Sequence, residues 1–366
     1  MTIKRRFITS GQLTAIVLTL VLSTALLLLP NTLAVKTAQS AWLAPWFALP
    51  VAVFVACLVI ALHRRYPGQT PVEYAPRILG RPLGKAVGLM YVLFFFHMAA
   101  TNIQEHSMFL DSTILITTPG AVFYGSLAVL AVYLLWQGLH VLVHLNQLIV
   151  PIALATLLVL LLMVSPNMEP GHLAPLVSYG GLPDLLAGSV ISAGWLSLVF
   201  GLSMLLPYVK PEVRVGRAAV GGLVITTFFL SLLIAGIIAV FNAAETTRLQ
   251  FPVYSLARFV FIGEFFNRLD PLSVLVWVAA VSVKFGFWFF IAVAGLAQLT
   301  GVKSTRGLLP AAAFFVAALS TLLYDNVAQL TTALAEIMPL YFLTVQVGMP
   351  TVLFVAAVLR GKEVES

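Results

Sequence analysis

The sequence predicts an all-α integral membrane protein of ten transmembrane helices, and three observations carry the prediction. Hydrophobic residues make up 61% of the chain and charged residues only 9%, whereas soluble domains carry about 25% charged residues. Apolar runs recur along the whole length, at about 12–30, 44–62, 83–104, 119–139, 145–165, 188–209, 214–241, 270–297, 307–323 and 334–358. Most are long enough for a hydrocarbon layer of about 30 Å. The basic residues also sort by side. With the N-terminus inside, only Lys36, Arg248, Arg258 and Arg268 of the 20 Lys and Arg fall in outer segments, and Lys284 lies within a span. All the others are inner, which places both termini in the cytoplasm.

The net charge of +7 therefore reads as loop charge and not as a nucleic-acid footprint. The single cysteine, Cys57, sits inside an apolar run, so no intrachain disulfide can form. Lys4-Arg5-Arg6 followed by an apolar run resembles a signal peptide. The run is long for that role, no cleavage site stands near Pro30, and further spans follow, so it is read as the first transmembrane helix. Residues 1–366 are read as a single transmembrane domain, with a first five-helix half at about 12–165 and a second at about 188–358.

Span one carries Ser23-Thr24-Ala25 midway, and span six carries Ser189, Ser192, Gly194, Ser197, Gly201 and Ser203. Small or hydroxyl residues thus stand near mid-membrane in the first helix of each half. Two readings are open: paired helix breaks around a binding site, as in inverted-repeat transporters, or ordinary close helix packing. Span three aligns Tyr91, Phe95, Met98, Asn102 and Glu105 on one helical face. Its aromatic part is a packing surface or a cavity wall, and Asn102 and Glu105 are expected near the outer surface. His97 reads as a packing residue. His140 and His144, between spans four and five, have no metal-ligating companions in the sequence, and no metal or cofactor is expected.

The outer connection 165–184 is polar and contains prolines, and Pro-Tyr-Val-Lys-Pro at 207–211 forms a compact inner turn. Segment 251–267 is amphipathic, either an interfacial helix or a gate over a site. Span eight aligns Ser273, Trp277, Val281, Lys284 and Trp288. Lys284 stands about 15 residues into this span, roughly 20 Å from its start at 1.5 Å per residue. A charge at that depth costs about 2.5–3.5 kcal/mol or more, so the protein must solvate it. Structurally, the ammonium would bridge carbonyls exposed by a broken span one, the work of a sodium ion; functionally, it would carry a proton. Glu336 is expected near the outer end of span ten, a second candidate for coupling. No Gly-x-Ser-x-Gly or His-Glu-x-x-His motif occurs, so the chain is not read as an enzyme.

Taken together, Ser10-Gly-Gln12, Leu29-Pro30, Ala41-Trp42-Leu43, Pro207-Tyr208 and Lys210-Pro211 resemble the B subunits of endospore germinant receptors. Phe251-Pro252, Arg258, Glu264-Phe265, Arg268-Leu269-Asp270, Trp277 and Lys284 form the most specific part of that resemblance. These subunits belong to the amino acid–polyamine–organocation superfamily. The resemblance implies a LeuT-like five-plus-five inverted repeat, with helices one and six broken around a central site. It implies an inner-membrane subunit of an endospore-forming bacterium that senses a nutrient, an amino acid in the first instance. Its partners would be an A subunit and a lipoprotein C subunit. Ser23, Thr24, Ala25, Ser197 and Gly201 would then offer backbone groups to the ligand, with Tyr91, Phe95, Phe200 and Trp277 shaping the pocket. The alternative is a proton-coupled amino acid transporter working through Lys284 or Glu336. The chain departs from the family at Ser23-Thr24-Ala25, where members carry glycine, and at Ser40, where they carry an acid.

Overall fold

A computed structural model describes residues 7–177, 180–260 and 270–361. Its helices are α1 (Ser10–Thr37), α2 (Ala44–Arg65), α3 (Pro71–Leu79), α4 (Arg81–Thr113) and α5 (Gly120–Gln137). They continue with α6 (Leu139–Val164), α7 (Gly181–Leu196), α8 (Leu202–Leu205), α9 (Val215–Thr246) and α10 (Pro252–Phe259). Last come α11 (Asp270–Thr300), α12 (Leu309–Ser320), α13 (Val327–Glu336), α14 (Met338–Leu343) and α15 (Met349–Leu359). Among the described residues, 9 helical stretches are long and apolar enough to cross a membrane. The expected ninth span is a shorter apolar helix, Arg306–Ser320.

Helix α1 is the axis of the bundle and packs on α6, α7, α9 and α11. A helix apolar all round must be enclosed by others, and 89% of the α1 apolar window is buried, against 22% for α6. A Thr9–Gln12 capping box opens α1, satisfying amides that a helix start leaves bare. The expected break in span one is absent. Helix α1 continues through Ser23-Thr24-Ala25 and past Pro30 to Thr37. Without glycine at that point, unwinding has no conformational advantage, and the Ser23 hydroxyl instead donates back to the Thr19 carbonyl at 2.9 Å.

Span six is interrupted. Helix α7 tightens into a 3-10 turn over Ser197–Gly201, followed by the single-turn α8 and a second 3-10 turn over Leu206–Tyr208. The change of hydrogen-bond period frees carbonyls inside the bundle. Gln346, fully buried, reaches them from a π-turn at Thr344–Gly348. Its amide nitrogen donates to the carbonyls of Gly194 and Ser197, both at 3.1 Å.

The loops segregate as an alternating topology requires. At one end the Phe7 and Ile8 amides donate to the Tyr208 carbonyl (2.8 and 3.1 Å), and the Lys210 amide donates to Ile8 (3.0 Å). At the other, the Asn31 side chain donates to the carbonyls of Thr246, Thr247 and Leu249 at 3.3, 2.9 and 2.8 Å. The Glu169 amide meets the Ala239 carbonyl there at 2.9 Å. Of the amphipathic segment, α10 buries Pro252, Leu256 and Ala257, and Arg258 lies 5.7 Å from the Tyr254 ring. Glu264, Phe265, Arg268 and Leu269 lie outside the described residues.

Helix α3 was not anticipated by hydropathy. A Thr70–Glu73 capping box and Pro71 at its first turn define it. It lies so close to α4 that a Cβ on Gly84 would stand 2.2 Å from the Pro76 Cα. Gly84→Ala is therefore expected to lower the apparent melting temperature of the purified protein by the equivalent of about 1–3 kcal/mol. Gly125→Ala, where a Cβ meets nothing within 4 Å, should leave it unchanged. Equal melting of the two variants would show that the α3–α4 approach is dispensable.

Candidate functional site

Lys284 is 2% exposed on α11, Glu105 is 4% exposed on α4, and Thr24 on α1 is fully buried. The Lys284 ammonium donates to the Thr24 hydroxyl at 2.6 Å and lies 5.4 Å from the centre of the Trp195 ring on α7. The Thr24 hydroxyl thus accepts from the cation, and the Glu105 carboxyl lines the same small cavity as Thr24 and Lys284. All four residues line one small cavity with Met98, Asn102 and Phe342. Its volume is about 10 Å³ for the centre of a water-sized sphere, room for about one water molecule. Both polar atoms of the Asn102 amide are buried without a hydrogen-bond partner. Such groups normally find one, and leaving them unmet costs about 1–3 kcal/mol each.

The structural reading of Lys284 needs correction in its details. The ammonium is held by a hydroxyl and an aromatic face, with the Glu105 carboxyl lining the same cavity, and not by carbonyls of an unwound α1, because α1 keeps its helical bonds. Glu105 is the residue the sequence misplaced. Hydropathy ended span three at 104, but α4 runs to Thr113, which leaves Glu105 inside the bundle. Glu336 is exposed at the end of α13 and lines no part of this cavity.

The other expected site residues do not gather at this cavity. Trp277 donates from Nε1 to the Ser23 carbonyl at 2.8 Å and stacks on His106, with ring centres 5.6 Å apart. With Ser23 it lines a separate, mostly apolar cavity of about 100 Å³ between α1, α6, α10 and α11. Tyr91, Phe95 and Phe200 form an aromatic cluster instead. Tyr91 stacks on Phe200 at 5.0 Å, Phe200 lies 5.7 Å from Phe95, and Phe95 stacks on Trp288 at 6.0 Å. Gly201 lets that cluster close, since a Cβ there would stand 3.0 Å from the Trp288 ring. Ala25 and Ser197 are buried and line neither cavity. Trp195 carried no distinguishing signal in the sequence. Glu105 carried one: a buried lysine requires a counter-charge, and Glu105 is one helical turn beyond Asn102.

A bundle whose polar centre joins helices one, three, six, eight and ten is the architecture of LeuT-fold transporters. The chain superposes on the solved nucleobase-cation-symport-1 transporter Mhp1, in a closed conformation with bromovinylhydantoin bound, with a TM-score of 0.73. Identity is 14%, over 96% of this chain and 79% of that one. MhsT in complex with L-phenylalanine gives a TM-score of 0.69 at 13% identity, covering 96% and 88%. The sequence resolves the family within that fold. The family model for spore permeases, described as spore germination protein, matches residues 7–330, and the chain belongs to that family. Spore germination protein KB of Bacillus subtilis (strain 168) is 24% identical over 97% of this chain and 95% of its own length. Spore germination protein YndE of the same organism is 25% identical over 83% and 85%. Family and fold are those of membrane permeases and transporters, and the chain is a multi-pass membrane protein.

Removing one member of a buried charge pair strands the other, typically at about 3–5 kcal/mol. Lys284→Met is therefore expected to lower thermal stability and membrane yield sharply. Adding Glu105→Gln should recover part of the loss. Lys303→Gln, at an exposed loop position, should have no effect. A double variant no better than Lys284→Met alone would show that the two charges are not coupled.

Proposed function

We propose that this protein is the nutrient-sensing membrane subunit of a spore germination receptor and that it binds a small zwitterion, an amino acid, between Lys284 and Glu105. The observation that carries this reading is the pairing of one buried cation and one buried anion across a cavity that also holds the unpartnered Asn102 amide. A carboxylate and an ammonium on one ligand complement that pair in a way no neutral solute does. Thr24 contributes its side chain, and the backbone of α1 stays within its helix. The cavity as it stands is too small for an amino acid, so Trp195, Met98 and Phe342 must separate to admit one. The ligand then prefers the open arrangement, and that difference in affinity is what moves the conformational equilibrium. Spore germination relatives support a role in germination. An A subunit and a lipoprotein C subunit would receive the signal. The positive-inside bias supports an inner-membrane protein with both termini cytoplasmic.

A second reading, a coupled amino acid transporter, is favoured by the fold neighbours, which are transporters. Thermal stabilisation of the purified protein across amino acids, sugars and nucleosides separates the possibilities. A ligand at 100 times its Kd is expected to add about 2.7 kcal/mol, with amino acids active and sugars and nucleosides inert. Glu105→Gln should abolish the shift. Uptake of the stabilising amino acid into proteoliposomes would favour the transporter, and binding without uptake the sensor. Stabilisation by a sugar that survives Glu105→Gln would overturn the site.

A further inference from the structure

A further cavity, about 500 Å³ in volume, shares no lining residue with the Lys284 centre. It opens at the end where Phe7, the α5–α6 turn, Tyr208 and the segment before α12 meet. This is the end to which the cationic loops belong. Gly138, at φ +113°, turns α5 directly into α6. His140 and His144 consequently stand one helical turn apart at the start of α6. Both are exposed, as is Arg306 across the opening. His144 engages the His140 carbonyl through Nδ1 at 2.7 Å, which leaves Nε2 as its remaining polar atom. No Asp or Glu lines the cavity among the described residues.

Beside these groups the lining is apolar: Leu139, Phe290, Val293, Ala294 and Leu309. They are held in place by ring contacts, Phe7 on His140 at 6.5 Å and Tyr208 on Phe290 at 5.7 Å. Trp136, 46% exposed, also lines it, and amphipathic rings favour the headgroup level of a membrane. Arg306 and two histidines beside apolar walls match a molecule with an anionic head and hydrocarbon tails. We propose that this cleft binds one anionic phospholipid. Arg306, His140 and His144 hold its phosphate, and an acyl chain lies along Phe290, Val293 and Leu309. A free anion would leave the apolar walls unused, and a neutral lipid would leave the basic groups without a counter-charge.

The test uses the full-length protein in detergent, titrated with phosphatidylglycerol, with phosphatidylcholine of the same chains, and with inorganic phosphate. Melting temperature and native mass spectrometry are the readouts. Phosphatidylglycerol should raise the melting temperature saturably and remain as one retained lipid, and the other two should do neither. Arg306→Gln should weaken the effect by roughly tenfold, the scale of one lost charge-assisted hydrogen bond. His140→Gln with His144→Gln should weaken it in the same direction, and Lys303→Gln should leave it intact. Equal responses to the two lipids would reduce the cleft to ordinary lipid contact. Equal loss in Lys303→Gln and Arg306→Gln would reduce it to diffuse surface charge. Stabilisation by phosphate alone would make it a free-anion site. Each of these overturns the proposal.

Discussion

One ammonium group placed at mid-membrane depth governs the centre of this structure. Hydrocarbon cannot solvate it, and the groups around it come from different helices: a hydroxyl from α1 and an indole face from α7 in contact with it, and a carboxyl from α4 at the same cavity. Those helices are far apart in the chain and are drawn from both halves of the bundle. Because a buried charge tolerates little loss of its partners, their positions relative to α11 are fixed together. A displacement of any one is felt by the others through the same few atoms. That arrangement suits a protein whose task is to report occupancy of its centre.

The first helices of the two halves solve the same problem differently. Helix α1 remains intact at Ser23-Thr24-Ala25, recruiting a side-chain hydroxyl to back-bond its own carbonyl and presenting a neighbouring hydroxyl to the lysine. Span six gives up regular α-helix at Ser197, and Gln346 from the last span compensates the exposed carbonyls. A bundle with one rigid and one adaptable central helix has a preferred place to deform. The aromatic stack of Tyr91, Phe95, Phe200 and Trp288 closes around Gly201, in that adaptable helix.

Hydropathy was sufficient for the all-helical membrane class and for the 9 long apolar helices among the described residues, because these follow from the cost of placing polar groups in hydrocarbon. The importance of Lys284 followed from the same cost. Glu105 was not found, since a carboxylate near the end of an apolar run looks solvated until the helix is known to continue to Thr113. Small residues in span one gave a misleading signal: they permit a break and equally permit close packing, and only tertiary structure chooses. Trp195 was one aromatic among many, with nothing local to mark it. Helix α3 is too short and too polar for a hydropathy window, although Thr70-Pro71 followed by Glu73 is a legible capping box.

The π-turn at Thr344–Gly348 has a consequence for register. Such a turn accommodates one residue more than an α-helix would, so α15 continues at an azimuth rotated by roughly 100° from the one α14 would have dictated. The stripe of the last span that faces its neighbours is therefore offset midway, and a single helical wheel drawn through 338–359 misassigns one half of it. Chain length in this segment carries information that residue type does not. Losing one residue here would restore α-helical bonding and leave the C-terminal half on its present face, while removing the turn from which Gln346 reaches the carbonyls of span six.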